Sequence, residues 1–176
     1  MKTLNLISYL VLLAGAVSCK KTDSDQTQQI ISSCTTPPAP VTFVLLNKQK
    51  NSLVKTSADQ VVVSYSENGQ TRTLPCIIGP LQDAATRQPT AKYGGLLVGC
   101  DIGSYSVRQA NPIKTFQVTV NNQAAGTIQY DLQPNTARTA TGVQDCFQLN
   151  SFQFNTVPVQ LDQTVLPVAA ILNTTL

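Results

Sequence analysis

The chain predicts an all-β fold, an antiparallel β-sandwich. Apolar residues alternate with polar ones at period two through most of the second half. Turn signals such as Asn68-Gly69 recur between the alternating runs. No apolar period of 3.6 is sustained over ten residues after the first segment of the chain.

That first segment is of a different kind. Met1-Lys2-Thr3 carries one positive charge, and Leu4 to Val17 is mostly apolar. A charged start, an apolar run and small residues at its end make a secretory signal, too short to span a bilayer. The run ends in Ala16-Val17-Ser18-Cys19, which resembles the lipobox of bacterial lipoproteins. The resemblance implies that Cys19 is lipidated on sulfur, with palmitate-type acyl chains, and becomes the first mature residue. Parity agrees: of five cysteines, removing Cys19 leaves an even set for pairing. Several acyl chains hold a protein on a membrane where one is marginal.

Residues 1–18 are thus read as a lipoprotein signal peptide, 19–39 as lipidated cysteine and flexible tether, and 40–176 as the sandwich domain. The stretch "KKTDSDQTQQIISS" is polar and without strand pattern. Its roughly 14 residues could span about 45–50 Å. "CTTPPAP" stiffens the tether's end and forbids a helix.

The strands follow in order. "VTFVLLN" (41–47) reads as a mostly buried strand. "QVVVSYS" (60–66) puts Val61, Val63 and Tyr65 on one face. Asn68-Gly69 turns the chain into "TRTLPCII" (71–78), where Leu74, Cys76 and Ile78 share a face. Pro75 cannot donate to a ladder, so that strand is expected at an edge or with a bulge. Residues 79–92 are expected to be loop or short helix. "YGGLLVGC" (93–100) and "SYSVRQ" (104–109) read as short strands.

"TFQVTVN" (115–121) points Phe116, Val118 and Val120 inward. "NQAAG" is expected to turn the chain into "TIQYDL" (127–132), with Ile128, Tyr130 and Leu132 inward. Residues 133–143 read as turn-rich. In "CFQLNSFQFN" (146–155), Phe147 and Leu149 have one parity, Phe152 and Phe154 the other. One extra residue produces such a flip, so a bulge is expected near Asn150-Ser151. "VPVQLDQTVLPVAAILN" (157–173) reads as an interrupted closing strand. The sum is about seven to nine strands in an immunoglobulin-like or transthyretin-like arrangement.

"SCKKTD" after the signal, "CTTPPAPVTFVLLN" opening the domain and "DCFQLNSFQFN" near its end resemble the small single-domain lipoproteins of Bacteroidota. That group has no common assigned activity. The resemblance therefore implies location and fold rather than chemistry.

Composition excludes several chemistries. The chain has no histidine, which removes Ser-His-Asp and Cys-His nucleophilic systems and the commonest transition-metal ligand. Tryptophan is absent too, and with it the strongest stacking platform for sugars. Neither a phosphate-cradling glycine motif nor a calcium loop occurs. The formal charge is +3, with the cations dispersed, so nucleic acid is not an expected partner. No cofactor or metal is expected.

After export Cys34, Cys76, Cys100 and Cys146 meet an oxidising compartment. Three pairings are open to four cysteines. The preferred one is Cys76–Cys100, linking neighbouring strands, with Cys34–Cys146 pinning the start of the domain to a late strand. In the chain-entropy model these loops are worth at most about 3.5 and 4.8 kcal/mol. A four-thiolate zinc site lacks any C-x-x-C spacing.

Asp59, Glu67, Asp83, Asp101, Asp131, Asp145 and Asp162 could in principle supply a carboxylate pair for hydrolysis. Their placement in turns and on outward strand faces is the more ordinary reading. Arg87, Lys92, Tyr93, Tyr105 and Arg108 cluster in and after the long loop, and tyrosine with arginine is the usual makeup of a binding hot spot. Loop 79–95 is therefore where a recognition face is sought.

The functional expectation is a non-enzymatic, lipid-anchored binding, adhesion or structural module of the cell envelope, held at the outer membrane on its periplasmic or surface face. Its partners would be the membrane itself and an envelope protein or glycan. The alternative is a carbohydrate- or peptide-handling accessory protein, with an Asp-based hydrolase as its remote extreme.

Overall fold

The computed structural model describes residues 40–103, 113–139 and 142–176, of which 135–139 and 142–145 are described by their backbone. Two sheets face each other. One is six-stranded. It contains β2 (Val61–Glu67), β3 (Gln70–Leu74), β7 (Thr115–Val120), β8 (Gln123–Thr139), β9 (Gly142–Phe154) and β10 (Val157–Pro158), in the order β10-β9-β8-β7-β2-β3. The other holds β1 (Val41–Leu46), β4 (Cys76–Pro80), β6 (Leu96–Cys100), β11 (Gln160–Asp162) and β13 (Ala169–Asn173), in the order β11-β13-β1-β6-β4. A two-stranded ribbon pairs β5 (Gln82–Asp83) with β12 (Val165–Leu166).

The alternating runs do what their period requires. Val63, Tyr65, Phe116, Val118, Ile128, Tyr130 and Phe154 point from the six-stranded sheet into one core. Phe43, Leu45, Val98, Cys100 and Leu172 meet them from the five-stranded sheet. Tyr65 packs edge-on against Phe116 at 6.1 Å between ring centroids, as the ring quadrupoles favour.

A second, smaller core lies on the outer face of the five-stranded sheet. Val44, Leu46, Leu97 and Ala169 meet Leu81 and Val165 there, with Tyr93 packed against them. This explains why "VTFVLL" is apolar at nearly every position. β1 is covered on both faces, so period two is lost where a strand has no wet side.

Asn68 and Gly69 both adopt positive φ (51° and 76°), the two-residue turn that an Asn-Gly pair favours. Asn121-Asn122 and Asn155-Thr156 repeat the geometry at the turns joining β7 to β8 and β9 to β10. The expected turn at "NQAAG" is thus displaced: Asn121-Asn122 turns the chain, and Ala124-Ala125-Gly126 forms a bulge. There β8 pairs Val118 with Gly126 but Thr119 with Ala124. Gly126 sits at φ 154°, and a Cβ on it would come within 2.5 Å of Phe154 and Asn155. The bulge expected near Asn150-Ser151 is present: Asp131 pairs with Ser151 and Leu132 with Leu149, leaving Asn150 as the extra residue. It lets Leu149 and Phe152, of opposite parity, both pack on the core.

Several expectations are corrected. Residues 71–78 are not one strand. The chain breaks at Pro75, so that β3 ends the six-stranded sheet and β4 ends the five-stranded one. Pro75 is where the chain changes sheets, and both pieces are edges. Residues 133–143 are not turn-rich, since β8 runs on to Thr139 and β9 begins at Gly142. Polar alternation there masked a long hairpin.

The pairing is not wholly antiparallel either, because β13 runs parallel to β1, with Phe43 opposite Ala170. The closing segment 157–173 is four short strands divided among all three sheets. These pieces raise the strand number to thirteen among the described residues. The strand expected from Tyr93 begins at Leu96, after a 3-10 turn at Lys92–Gly95. The strand expected at 104–109 lies outside the described residues.

Candidate functional site

Residues 81–95 form a folded cover over the outer face of the five-stranded sheet rather than an open loop. Leu81 fills the second core and is fully buried. Asp83 then closes a tight turn. Its Oδ1 accepts hydrogen bonds from the Ala85 N–H (3.0 Å), the Thr86 N–H (2.9 Å) and the Thr86 hydroxyl (3.0 Å). These bonds, those to Thr86 foremost, hold the Asp83 carboxyl below the usual range. Arg87 sits at the turn's exposed tip, in a left-handed conformation (φ 60°). The ribbon is completed by the Ala84 N–H donating to the Thr164 carbonyl at 2.9 Å.

The returning chain reaches Lys92 and Tyr93, and here the structure gathers a polar cluster around Asp162. Lys92 Nζ lies 2.6 Å from Asp162 Oδ2. The Tyr93 hydroxyl donates to the same oxygen at 3.0 Å. On the other side, Asp162 Oδ1 accepts from the Thr164 N–H (2.9 Å) and the Thr164 hydroxyl (2.7 Å). Lys92 Nζ also donates to Thr164 Oγ1 at 2.9 Å. Asp162 is buried, one of the few polar side chains in the described residues that are.

The local backbone is bent to make this possible. Tyr93, Gly94 and Gly95 follow one another with positive φ (53°, 77° and 77°). Two glycines take that region at no steric cost, whereas tyrosine does not. The strain at Tyr93 is offset by its ring packing on the second core and by its bond to Asp162.

The electrostatics follow from this geometry. Burial pushes the Asp162 carboxyl up, but the hydrogen bonds from Lys92, Thr164 and Tyr93 outweigh it and hold it at about 2. The bond to Asp162 raises the Lys92 ammonium above its ordinary value. Burial, then Asp162, does the same for the Tyr93 hydroxyl. All three are thereby fixed in the states they hold at neutral pH: carboxylate, ammonium, neutral phenol. The cluster is charge-compensated and saturated with donors. It suits a latch holding the cover on the sheet, and it offers neither a base near neutrality nor a nucleophilic amine.

A second constellation lies on the six-stranded sheet. Lys114 Nζ sits 2.8 Å from Asp131 Oδ1 in an ion-pair contact, while Asn150 Nδ2 donates to Oδ2 at 2.8 Å. Burial works to raise the Asp131 carboxyl, and these contacts carry it below the usual range. Beside it Tyr65, Ser66, Ile113, Lys114, Thr115 and Gln117 line an open groove of ≈ 320 Å³. That is the lower end of the size range of small-molecule sites. Lys114, the one cation among its described lining residues, is already paired with Asp131.

Of the residues singled out in the sequence, Lys92 and Tyr93 come together and Arg87 stays apart at the exposed tip. Tyr105 and Arg108 lie outside the described residues, as do Cys19 and Cys34. Cys76 and Cys100 are joined as expected, directly opposite each other on β4 and β6. Cys146 is oxidised in a disulfide. Asp162 and Thr164, which organise the cluster, were not among the residues assigned to a binding face. The Asp-x-Thr spacing, which lets a carboxylate bond the N–H two residues on, was the available signal. Asp59 is tied down likewise, by Asn121 Nδ2 at 3.0 Å and the N–H groups of Thr56 (2.8 Å) and Lys55 (2.7 Å). These hold it at about 2. Among the described residues no three Cys, Asp or Glu side chains gather as a metal site would need.

No family model matches the chain, and no curated protein and no solved structure matches it.

Proposed function

We propose that this chain is a lipid-anchored cell-envelope protein whose β-sandwich serves as a non-enzymatic binding or structural module. The observation that carries the reading is Ala16-Val17-Ser18-Cys19 at the end of a short apolar run that begins with Lys2. Residues 19–39 would tether the sandwich, whose first strand begins at Val41.

The non-catalytic half of the reading is supported by the direction of the carboxyl shifts. Asp59, Asp83, Asp131 and Asp162 are all displaced downward, away from neutrality. An Asp-based hydrolase acting near neutrality needs one raised instead, to serve as its acid.

Detergent phase separation tests the anchor. The wild-type protein partitions into the detergent phase and Cys19→Ser into the aqueous phase. A Cys19→Ser protein that remains with the detergent contradicts the reading. The same preparation shows no turnover on panels of glycoside, ester and peptide substrates. Hydrolysis abolished by changing Asp59, Asp83, Asp101 or Asp145 to Asn would overturn the non-enzymatic half.

A further inference from the structure

We propose that β4 is a pairing edge, through which two copies of this chain join their five-stranded sheets about a two-fold axis at Ile78. β4 is the outermost strand of its sheet, with β6 on one side. Two observations fix which of its backbone groups face away from β6. The Leu81 N–H donates to the Gly95 carbonyl at 2.9 Å, and alternation from that bond makes Gly79–Leu97 and Ile77–Gly99 the hydrogen-bonded pairs. Independently, the Cα atoms of Cys76 and Cys100 are 4.3 Å apart, the close spacing of a pair that is not hydrogen-bonded. The N–H and C=O of Cys76 and Ile78, and the C=O of Pro80, therefore point outward. No described residue gives these groups a backbone partner.

The side chains single out a second copy as the occupant. Ile77 is 75% exposed, the most exposed large apolar residue described. Gly79 lies two residues on, on the same face, and a Cβ there would meet nothing within 4 Å. Pairing two β4 strands antiparallel with Ile78 opposite Ile78 sets Ile77 of each copy against Gly79 of the other. A bulky apolar side chain then covers an open glycine, twice, as a two-fold interface requires. The ladder gains a mutual pair of bonds between the two Ile78 residues. It gains one more on each side, from the Cys76 N–H to the opposite Pro80 carbonyl. A register with Ile77 opposite Ile77 makes as many bonds but leaves Gly79 uncovered. Pro75 and Pro80 bracket the strand, so a longer foreign strand finds few further partners here.

Sedimentation of the full-length chain in detergent tests this. The wild-type protein is dimeric in the micromolar range. Ile77→Glu and Gly79→Lys are each monomeric there, with dissociation constants raised at least tenfold. An equimolar mixture of the two variants dimerises again, because the new charges then face each other. A photo-crosslinker incorporated at position 77 of the otherwise wild-type chain links to the peptide containing Gly79 of a second copy. That readout does not depend on the stability of either charged variant. A wild-type chain that stays monomeric, a dimer indifferent to Ile77→Glu, or a mixture that fails to reassociate would overturn the proposal.

Discussion

The hydroxyl of Tyr93 donates to Oδ2 of Asp162 at 3.0 Å across a separation of 69 residues. That bond and the Lys92 ion pair beside it join the cover segment to the last residue of β11. With Leu81 in the second core and the β5–β12 ribbon, they hold residues 81–95 on the sheet.

Replacing Asp162 with Asn should therefore loosen the cover before the fold. The amide keeps the shape but loses the charge that holds Lys92. Lys92 is partly exposed, so the loss is smaller than for a fully buried pair, about 2 kcal/mol. Urea unfolding with the disulfides intact measures that loss. Hydrogen exchange should localise it, with protection falling in 82–95 while β7 and β8 keep theirs.

Beside Asp59, Asp83 and Asp131, which are also held below the usual range, the same carboxylate contributes to an acid limit. Its pKa is about 2 in the folded chain, below the ordinary aspartate value near 4. A depressed folded value means stability that is complete above the unfolded pKa and lost as pH falls through the folded one. Thermal midpoints should hold from neutrality to about pH 5 and fall between roughly pH 4 and 2. The fall should be shallower in Asp162→Asn. Equal slopes in the two proteins would show that Asp162 is not what titrates.

Gly126 is the most constrained glycine of the described chain. Its φ of 154° and the 2.5 Å approach of Phe154 and Asn155 leave no room for a Cβ. Gly126→Ala should cost roughly 1–3 kcal/mol, as overpacking does. The neighbouring Ala125→Gly, a change at the buried extra residue of the bulge, creates no such clash. Paired melting curves of the two variants check that difference in mechanism.

Much of the sandwich was legible because alternation is a local signal. "TFQVTV" and "TIQYDL" have one wet and one dry face, and their inward residues are the buried ones. The parity flip between Leu149 and Phe152 was enough to place the bulge at Asn150. What failed depended on distant partners. Nothing within 71–78 states that its halves join different sheets. β13 lies parallel to β1 with both strands buried between the two cores, and no local pattern in either segment states that pairing or its direction. The Asp162 cluster was hidden for the same reason, since its members come from separate stretches of chain. Cys76–Cys100 was legible because the two cysteines lie on neighbouring strands that flank the long loop, and those strands pair with Cys76 opposite Cys100.

On the proposed reading, Cys19 anchors this sandwich to a membrane. Mass spectrometry of the mature protein taken from membranes tests it most directly. The expected mature chain begins at Cys19 and carries a diacylglyceryl mass on that residue, with residues 1–18 gone. A mature chain that begins elsewhere, or a Cys19 without lipid, would contradict it.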